Sequence, residues 1–454
     1  MRRIESWLVF GLICFLWVGG AQADDHGPKN IILMIGDGFG FEQAAAGRLL
    51  VPGGELVLDD LDPNPGSVNT LNVFGEITDS AAGGTALATG FKTANGNISM
   101  AEDDVTVLLT NMEAAQDKGM ATGILSSVYL CDATPGVWLA HAPSRSCSDI
   151  IPQQIDACPD VFLGAGEKVA YRRGGKGKGK GNKRNAFDFI AKMVKSCRYE
   201  EVNNAAELAA AQAPNNRLLG IWGGYTLAFT IDRQNDPEKY NNLATLAEMT
   251  AKAIEVLSRD PDGFFLMVES GAIDWVAHKK DIAATAHEVL AFDEAIAVAY
   301  DFAQNDGETA LIVTADHETG GLELGDNPNV AFIEGITAST TWMWAQVRRE
   351  GMDAEDLLET YAGVGVTSPP LTQQEKDAIA AHGEMGISDA LNLRANVVWI
   401  LPSGIPSVAP AKGNHREVDV PVWAYGPGVD GGELEGSIDN TDIGNLIFDL
   451  VEGN

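Results

Sequence analysis

Five stretches of the chain hold the residues best suited to chemistry. In NIILMIGDG (30–38) an apolar run ends on Gly36-Asp37-Gly38, an acid at a strand end, flanked by glycines that let backbone approach a ligand closely. In TDSAAGGTALATG (78–90) small residues follow Asp79-Ser80. A tightly packed helix starting there would set Ser80 among free backbone N–H groups, where the helix dipole favours an anion; the same position also suits an ordinary N-cap serine. In FFLMVESGAIDWVAH (264–278) Glu269 closes an apolar run, and Asp274 and His278 stand four residues apart. That spacing puts both on one face of a helical turn, as a shared divalent ion requires. Asp316-His317 follow another apolar run in IVTADHETGG (312–321), and His415 precedes one in GNHREVDVPVWAYGP (413–427). The chain has seven histidines, and three fall in these contexts.

Together these residues read as a metal centre. Asp37, Asp316 and His317 form one ligand set, and Asp274, His278 and His415 a second. Imidazole and carboxylate ligands that leave positions open suit catalytic zinc. Glu269 with a threonine hydroxyl suits the harder, oxygen-seeking magnesium. Three divalent cations would outweigh the four carboxylates Asp37, Glu269, Asp274 and Asp316, leaving a positive pocket. This answers a question raised by composition. Lys and Arg total 31 against 64 Asp and Glu, a net charge of −33, yet charge beyond roughly 8 Å is screened at physiological salt. The global acidity excludes a broad basic nucleic-acid surface.

The elements that must position these residues follow from apolar periodicity. Asn30–Ile35, Ala121–Leu125, Phe264–Val268, Ala310–Thr314 and Val420–Tyr425 read as buried strands. Leu243–Leu257 and Ile282–Phe302 have the length and spacing of amphipathic helices. Strand–helix alternation predicts an α/β fold, a central mostly parallel sheet flanked by helices, with function beyond the carboxyl ends of its strands. The rhythm breaks over about 321–413, where Pro369-Pro370 precede a helix at Leu371–His382; this reads as an inserted, crown-like cap. The basic, glycine-rich Arg172–Arg184 reads as a solvated loop. Arg2 and Arg3, an apolar run from Trp7 to Val18 and Ala21-Gln22-Ala23 read as a signal peptide, residues 1–23, ahead of one catalytic domain over 24–454. Its removal leaves 29 basic against 63 acidic residues, a net −34. No later segment is apolar enough to cross a membrane. A periplasmic or extracellular location follows, and there the four remaining cysteines, Cys131, Cys147, Cys158 and Cys197, are free to form disulfides.

NIILMIGDG, TDSAAGGTALATG, DATPGVWLAHAPSR (132–145), FFLMVESGAIDWVAH, TADHETGG and GNH before VPVWAYGPG closely resemble the alkaline phosphatase family. The resemblance covers the chain apart from the signal, the basic loop and the insertion. It implies hydrolysis of phosphate monoesters with Ser80 as nucleophile, two zinc ions held as grouped above, and one magnesium on Asp37, Thr134 and Glu269. Asp132 would reach that magnesium through water. Arg145 resembles the family's phosphate-gripping arginine, and a homodimer is implied. A disulfide of short span follows that arginine in the family, which points to Cys147–Cys158. Trp275 stands where the best-known bacterial members carry a lysine near the phosphate; other members carry histidine or tryptophan. It is taken as a substrate-side residue that alters phosphate affinity and pH optimum. A sulfatase would need Cys or Ser where His141 stands in HAPSR. A phosphodiesterase of the same superfamily typically lacks the third metal and the arginine. A non-catalytic metal- or phosphate-binding protein has no need of the Ser80 hydroxyl.

Overall fold

The computed structural model describes residues 27–61, 65–167, 170, 188–400 and 415–453. The expected signal peptide and the basic loop lie outside them. The described strands are, in chain order, β1 (Asn30–Gly36), β2 (Gly66–Asn69), β3 (Ala121–Tyr129), β4 (Val161–Ala165), β5 (Glu200–Glu201), β6 (Leu218–Trp222), β7 (Phe264–Ser270), β8 (Thr309–Thr314), β9 (Glu318–Thr319), β10 (Leu322–Glu323), β11 (Val398–Trp399), β12 (His415–Arg416), β13 (Val420–Tyr425) and β14 (Ser437–Asp439). Ten of them make one sheet in the order β14-β2-β13-β8-β1-β7-β3-β4-β6-β5. Neighbours are parallel except at β13, which runs antiparallel to both β8 and β2. Every residue of β1, β7 and β8 is buried. That is why these strands read as continuous apolar runs rather than alternating ones, as covered parallel strands do.

Long helices cover the sheet. Leu246–Leu257 begins on a capping box of Thr245 with Glu248, and Ile282–Asp306 is N-capped by Asp281. All seven strands and helices expected outside 321–413 recur, Val420–Tyr425 with the same bounds and the others with ends shifted by a few residues; β2, β4, β5, β6 and β14 are additional strands of the large sheet. Over 321–400, the described part of the expected 321–413 insertion, strand–helix alternation gives way to a run of helices. Helices Val330–Glu334, Thr340–Glu350, Ala354–Ala362, Gln373–His382 and Glu384–Ala395 follow one another, and the β10–β11 ribbon pairs Leu322 with Trp399 at their base. They enclose a second apolar core that includes Ile333, Met343 and Leu358 and runs onto Val276 and Ala283 of the main body.

The disulfides differ from the expected Cys147–Cys158 bridge. Cys131 pairs with Cys147, and Cys158 with Cys197. The physical reason is the helix Cys147–Ala157. Its ten-residue rise carries the two expected partners to opposite ends, about 15 Å apart at 1.5 Å per residue, while a disulfide needs Cα atoms within about 7 Å. Each cysteine instead meets a partner on another segment, at Cα separations of 5.2 and 5.6 Å.

Candidate metal and phosphate site

The four central strands β8, β1, β7 and β3 lie side by side and run parallel. Their carboxyl ends bring together residues almost 300 apart in sequence. Asp37 follows β1, Glu269 lies near the end of β7, Asp274 follows it, Asp316 and His317 follow β8, and Asp132 follows β3. Two glycines permit this crowding. Gly38 has φ +73°, and a Cβ there would stand 2.8 Å from Thr319 Oγ1 and 3.0 Å from Asp274 Cα. A Cβ on Gly83 would sit 2.6 Å from the Asp316 carbonyl oxygen, so the Ser80 helix can press against the Asp316 turn only because that residue is glycine.

Ser80 is the first residue of the helix Ser80–Thr89, and Asp79 is its N-cap, accepting from the Ala82 N–H. The cap role is thus taken by the aspartate, leaving the Ser80 hydroxyl turned inward, with Oγ 3.2 Å from His317 Nε2. Asp37, Asp316 and His317 converge, and so do Asp274, His317 and His415; within each trio the ligand atoms lie within 4.8 Å of one another. His317 therefore stands between the two sets, whereas the sequence division gave it to one. His278 Nε2 lies 3.2 Å from Asp274 Oδ1, and its ring is 5.3 Å from that of His415. The rings of His317 and His415 stack at 3.5 Å.

The tautomers are fixed from behind. His415 Nδ1 is 2.8 Å from the Thr78 carbonyl oxygen, to which it donates, leaving Nε2 to face Asp274. Thr319 donates through Oγ1 to Asp274 Oδ1 at 2.6 Å and lies 3.2 Å from His317 Nδ1. His317 then carries its proton on Nδ1 and points the Nε2 lone pair at Ser80, Asp37 and Asp316.

The charge arrangement is that of a cation seat. Burial, and then the carboxylates of Asp316, Asp274 and Glu269, push Asp37 well above the usual range. Burial, followed by Asp274, pushes Asp316 up to about 8. Burial drives Glu269 well upward against the pull of a hydrogen bond from Ser126. His317 is driven well down, by burial and then by His415 and His278. Asp37 Oδ1 and Glu269 Oε1 are buried without a hydrogen-bond partner among the described residues. Buried carboxylate oxygens without donors are stable only when neutralised. Thr134 donates to Asp37 Oδ2 at 3.2 Å, so Asp37, Thr134 and the region of Glu269 offer the all-oxygen environment that a hard cation takes. The residues present fit bound divalent metal.

Arg145 stands over this seat. Its Nη1 meets Asp79 Oδ2 at 3.2 Å and its Nη2 meets Asp132 Oδ1 at 3.0 Å. Those neighbours keep it firmly protonated. Asp79, the N-cap of the Ser80 helix, thus joins the guanidinium to that helix terminus. Asp79, Ser126 and Thr319 were missed from sequence. Asp79 and Thr319 adjoin motif residues, and hydroxyl and carboxyl side chains one or two positions from a ligand were the available signal; Ser126 carried none. Trp275 makes ring contacts with Tyr129 and Tyr225.

A family model for alkaline phosphatase matches residues 28–452. Alkaline phosphatase 3 of Bacillus subtilis is 31% identical over 442 residues, covering 94% of this chain and 89% of the relative. Streptomycin-6-phosphate phosphatase of Streptomyces griseus is 33% identical over 425 residues, covering 82% and 90%. Among solved structures, a cold-active alkaline phosphatase from a psychrophilic Shewanella superposes with a TM-score of 0.77 at 28% identity, over 93% of this chain and 99% of that one. The chain belongs to the alkaline phosphatase family and is a metal-dependent phosphoric monoester hydrolase.

Proposed function

We propose that this family member cleaves phosphate monoesters in two displacements through a phosphoserine on Ser80. The observation that carries the reading is Ser80 Oγ at a helix N-terminus, 3.2 Å from His317 Nε2, with Arg145 held on the adjoining cap residue Asp79 at 3.2 Å. In the first displacement the Ser80 Oγ–P bond forms and the bond from phosphorus to the ester oxygen breaks, releasing an alcohol. In the second, water oxygen bonds to phosphorus, the Ser80 Oγ–P bond breaks, and inorganic phosphate leaves. Arg145 grips two of the non-bridging oxygens with its fork. The backbone N–H groups at the start of the Ser80 helix oppose the charge that builds on them.

Asp37, Asp316 and His317 would hold one zinc, and Asp274, His278 and His415 the other; Thr134 and Glu269 with Asp37 would hold magnesium, with Asp132 reaching it through water. When bound, the zinc ions supply Lewis acidity that lowers the pKa of the Ser80 hydroxyl and charge that stabilises the leaving oxygen. The disulfides and the absence, among the described residues, of a helix able to cross a membrane support export of the chain after removal of residues 1–23, to the periplasm or beyond the cell. The 321–413 segment would cap the catalytic face, and the working unit would be a homodimer. Trp275 would border the substrate, and nucleic acid would not be a specific ligand.

The direct test measures phosphate release from an aryl monoester and from a diester, with and without EDTA, and traps the intermediate in acid. Monoester cleavage abolished by EDTA and phosphate on Ser80 are expected. Preference for the diester would sink the reading.

A further inference from the structure

Beside the metal pocket three aromatic side chains collect from three separate segments. Tyr129 ends β3, Trp275 follows Asp274, and Tyr225 lies on the segment after β6. The Tyr225 and Trp275 rings are stacked with centroids 6.1 Å apart and planes 28° apart. Tyr129 meets both edge-on, at 5.6 and 6.2 Å. Such edge and offset contacts are the favoured arrangements of aromatic rings.

The group is fixed in place and tied to the phosphate end of the site. The Tyr129 N–H donates to the Tyr225 carbonyl at 2.8 Å, and the Leu227 N–H to the Ser127 carbonyl at 2.8 Å. Thr226 bridges Val128 between them. Burial and then the Asp132 carboxylate raise the Tyr129 hydroxyl above its ordinary pKa, and Asp132 Oδ1 in turn accepts from Arg145 Nη2 at 3.0 Å. Yet Tyr225 is 57% exposed. Around the neighbouring Gly224, nothing lies within 4 Å of where a Cβ would stand, so the backbone carrying Tyr225 is uncrowded as well. A rigidly seated, propped tyrosine left in water at the mouth of a site offers contact area at little cost in side-chain entropy.

We infer that Tyr225, Trp275 and Tyr129 form a subsite for a planar aromatic group on the alcohol side of the phosphate ester. This rests on the reading of Arg145 as the phosphate grip. A planar ring stacked on the open Tyr225–Trp275 surface gains beyond the area it buries, which an alkyl group does not. The shared chemistry has two sources: a phenyl ring directly on the ester oxygen, or a nucleobase one sugar further out.

The test compares metal-replete wild type with Tyr225→Ala and Tyr225→Phe, measuring calorimetric Kd for phenylphosphonate and methylphosphonate. Tyr225→Ala should weaken phenylphosphonate about three- to tenfold, leave methylphosphonate within about twofold, and lose nothing when the change is to Phe. In turnover, a parallel fall in kcat/KM for phenyl phosphate and adenosine monophosphate would show that the subsite reaches a base. A fall for phenyl phosphate alone would assign it to aryl esters. Equal weakening of both phosphonates, or no change for phenylphosphonate, overturns the subsite. Failure of the wild type to release phosphate from any monoester would instead overturn the phosphatase reading, and the phosphonate comparison would still stand.

Discussion

The two disulfides should separate stability from catalysis. Cys131–Cys147 closes a span of 16 residues and Cys158–Cys197 one of 39. By chain entropy these closures are worth ~3 and ~4 kcal/mol respectively, so on stability alone the longer bridge matters more. The shorter one, however, frames the phosphate grip. Cys131 precedes Asp132, Cys147 lies two residues beyond Arg145, and Asp132 and Arg145 meet at 3.0 Å. Replacing Cys131 and Cys147 together by serine frees both ends of that contact, while Asp79 still holds the guanidinium at 3.2 Å. A partial loss of preorganisation is expected, about tenfold in phosphate affinity or ~1.4 kcal/mol. Replacing Cys158 and Cys197 should lower the melting temperature further and leave phosphate affinity unchanged. The assay is calorimetric melting at saturating metal alongside the inhibition constant for inorganic phosphate. An unchanged constant in the Cys131/Cys147 variant, or the same change in both variants, would refute the clamp.

Ser80→Ala should lower kcat by about 10²-fold or more while phosphate and metal still bind; acid-trapped phosphate found on Thr78 or Thr85 would contradict the assignment. His278→Ala and His415→Ala should cost zinc, and Thr134→Ala and Glu269→Gln mainly magnesium, as metal analysis will read; loss of the same ion from all four would break the division. Buried Glu288 is pushed up to about 7 from 4.5 by desolvation, even though it accepts from the Thr230 N–H at 2.5 Å. Its folded pKa is raised, so the stability it adds in acid is lost as pH climbs from about 4.5 through 7, by ~3 kcal/mol. Glu288→Gln keeps the acceptor and should flatten that fall, leaving the variant the more stable at pH 8; parallel stability curves would exclude the effect. Trp275→Lys adds a cation beside the pocket and should tighten inhibition by phosphate, unless the inhibition constant, with metals intact, shows the side chain faces elsewhere.

Much of the centre was legible because its ligands sit at strand ends. A buried parallel strand announces itself as an unbroken apolar run, and the first polar residues after it must lie at the sheet's carboxyl edge. Asp37, Glu269, Asp316 and His317 were all found by that rule, and the order of the strands, β8-β1-β7-β3, then brings them together without any signal of its own in the sequence. What the rule misses are residues recruited by geometry after folding. Ser126 lies within β3 and bonds to Glu269 across the strand pair. Thr319 reaches Asp274 from the next turn, and Asp79 serves the helix cap and Arg145 at once. The edge strands β5 and β14, and β2 next to β14, are two to four residues long, too short to carry a period.

The cysteines show the opposite limit. Nothing local distinguishes their three possible pairings, because a disulfide depends on the distance between Cα atoms and not on the residues around them. The family resemblance suggested Cys147–Cys158, and one helix was enough to defeat it. Cys147–Ala157 carries Pro152 in its interior, where the ring removes one i→i−4 hydrogen bond, yet the helix continues through it to Ala157. Ser146 caps its start by accepting from Ser148, and Cys158 ends it with φ 46°. A segment with start and stop signals at those positions is straight enough to hold its ends apart. Cys147, at its amino end, is then left beside the end of β3 and Cys158 beside the helix that ends at Cys197. The same helix that forbids the expected bridge thus sets the alternative, in which one clip falls on the two residues flanking the Asp132–Arg145 contact.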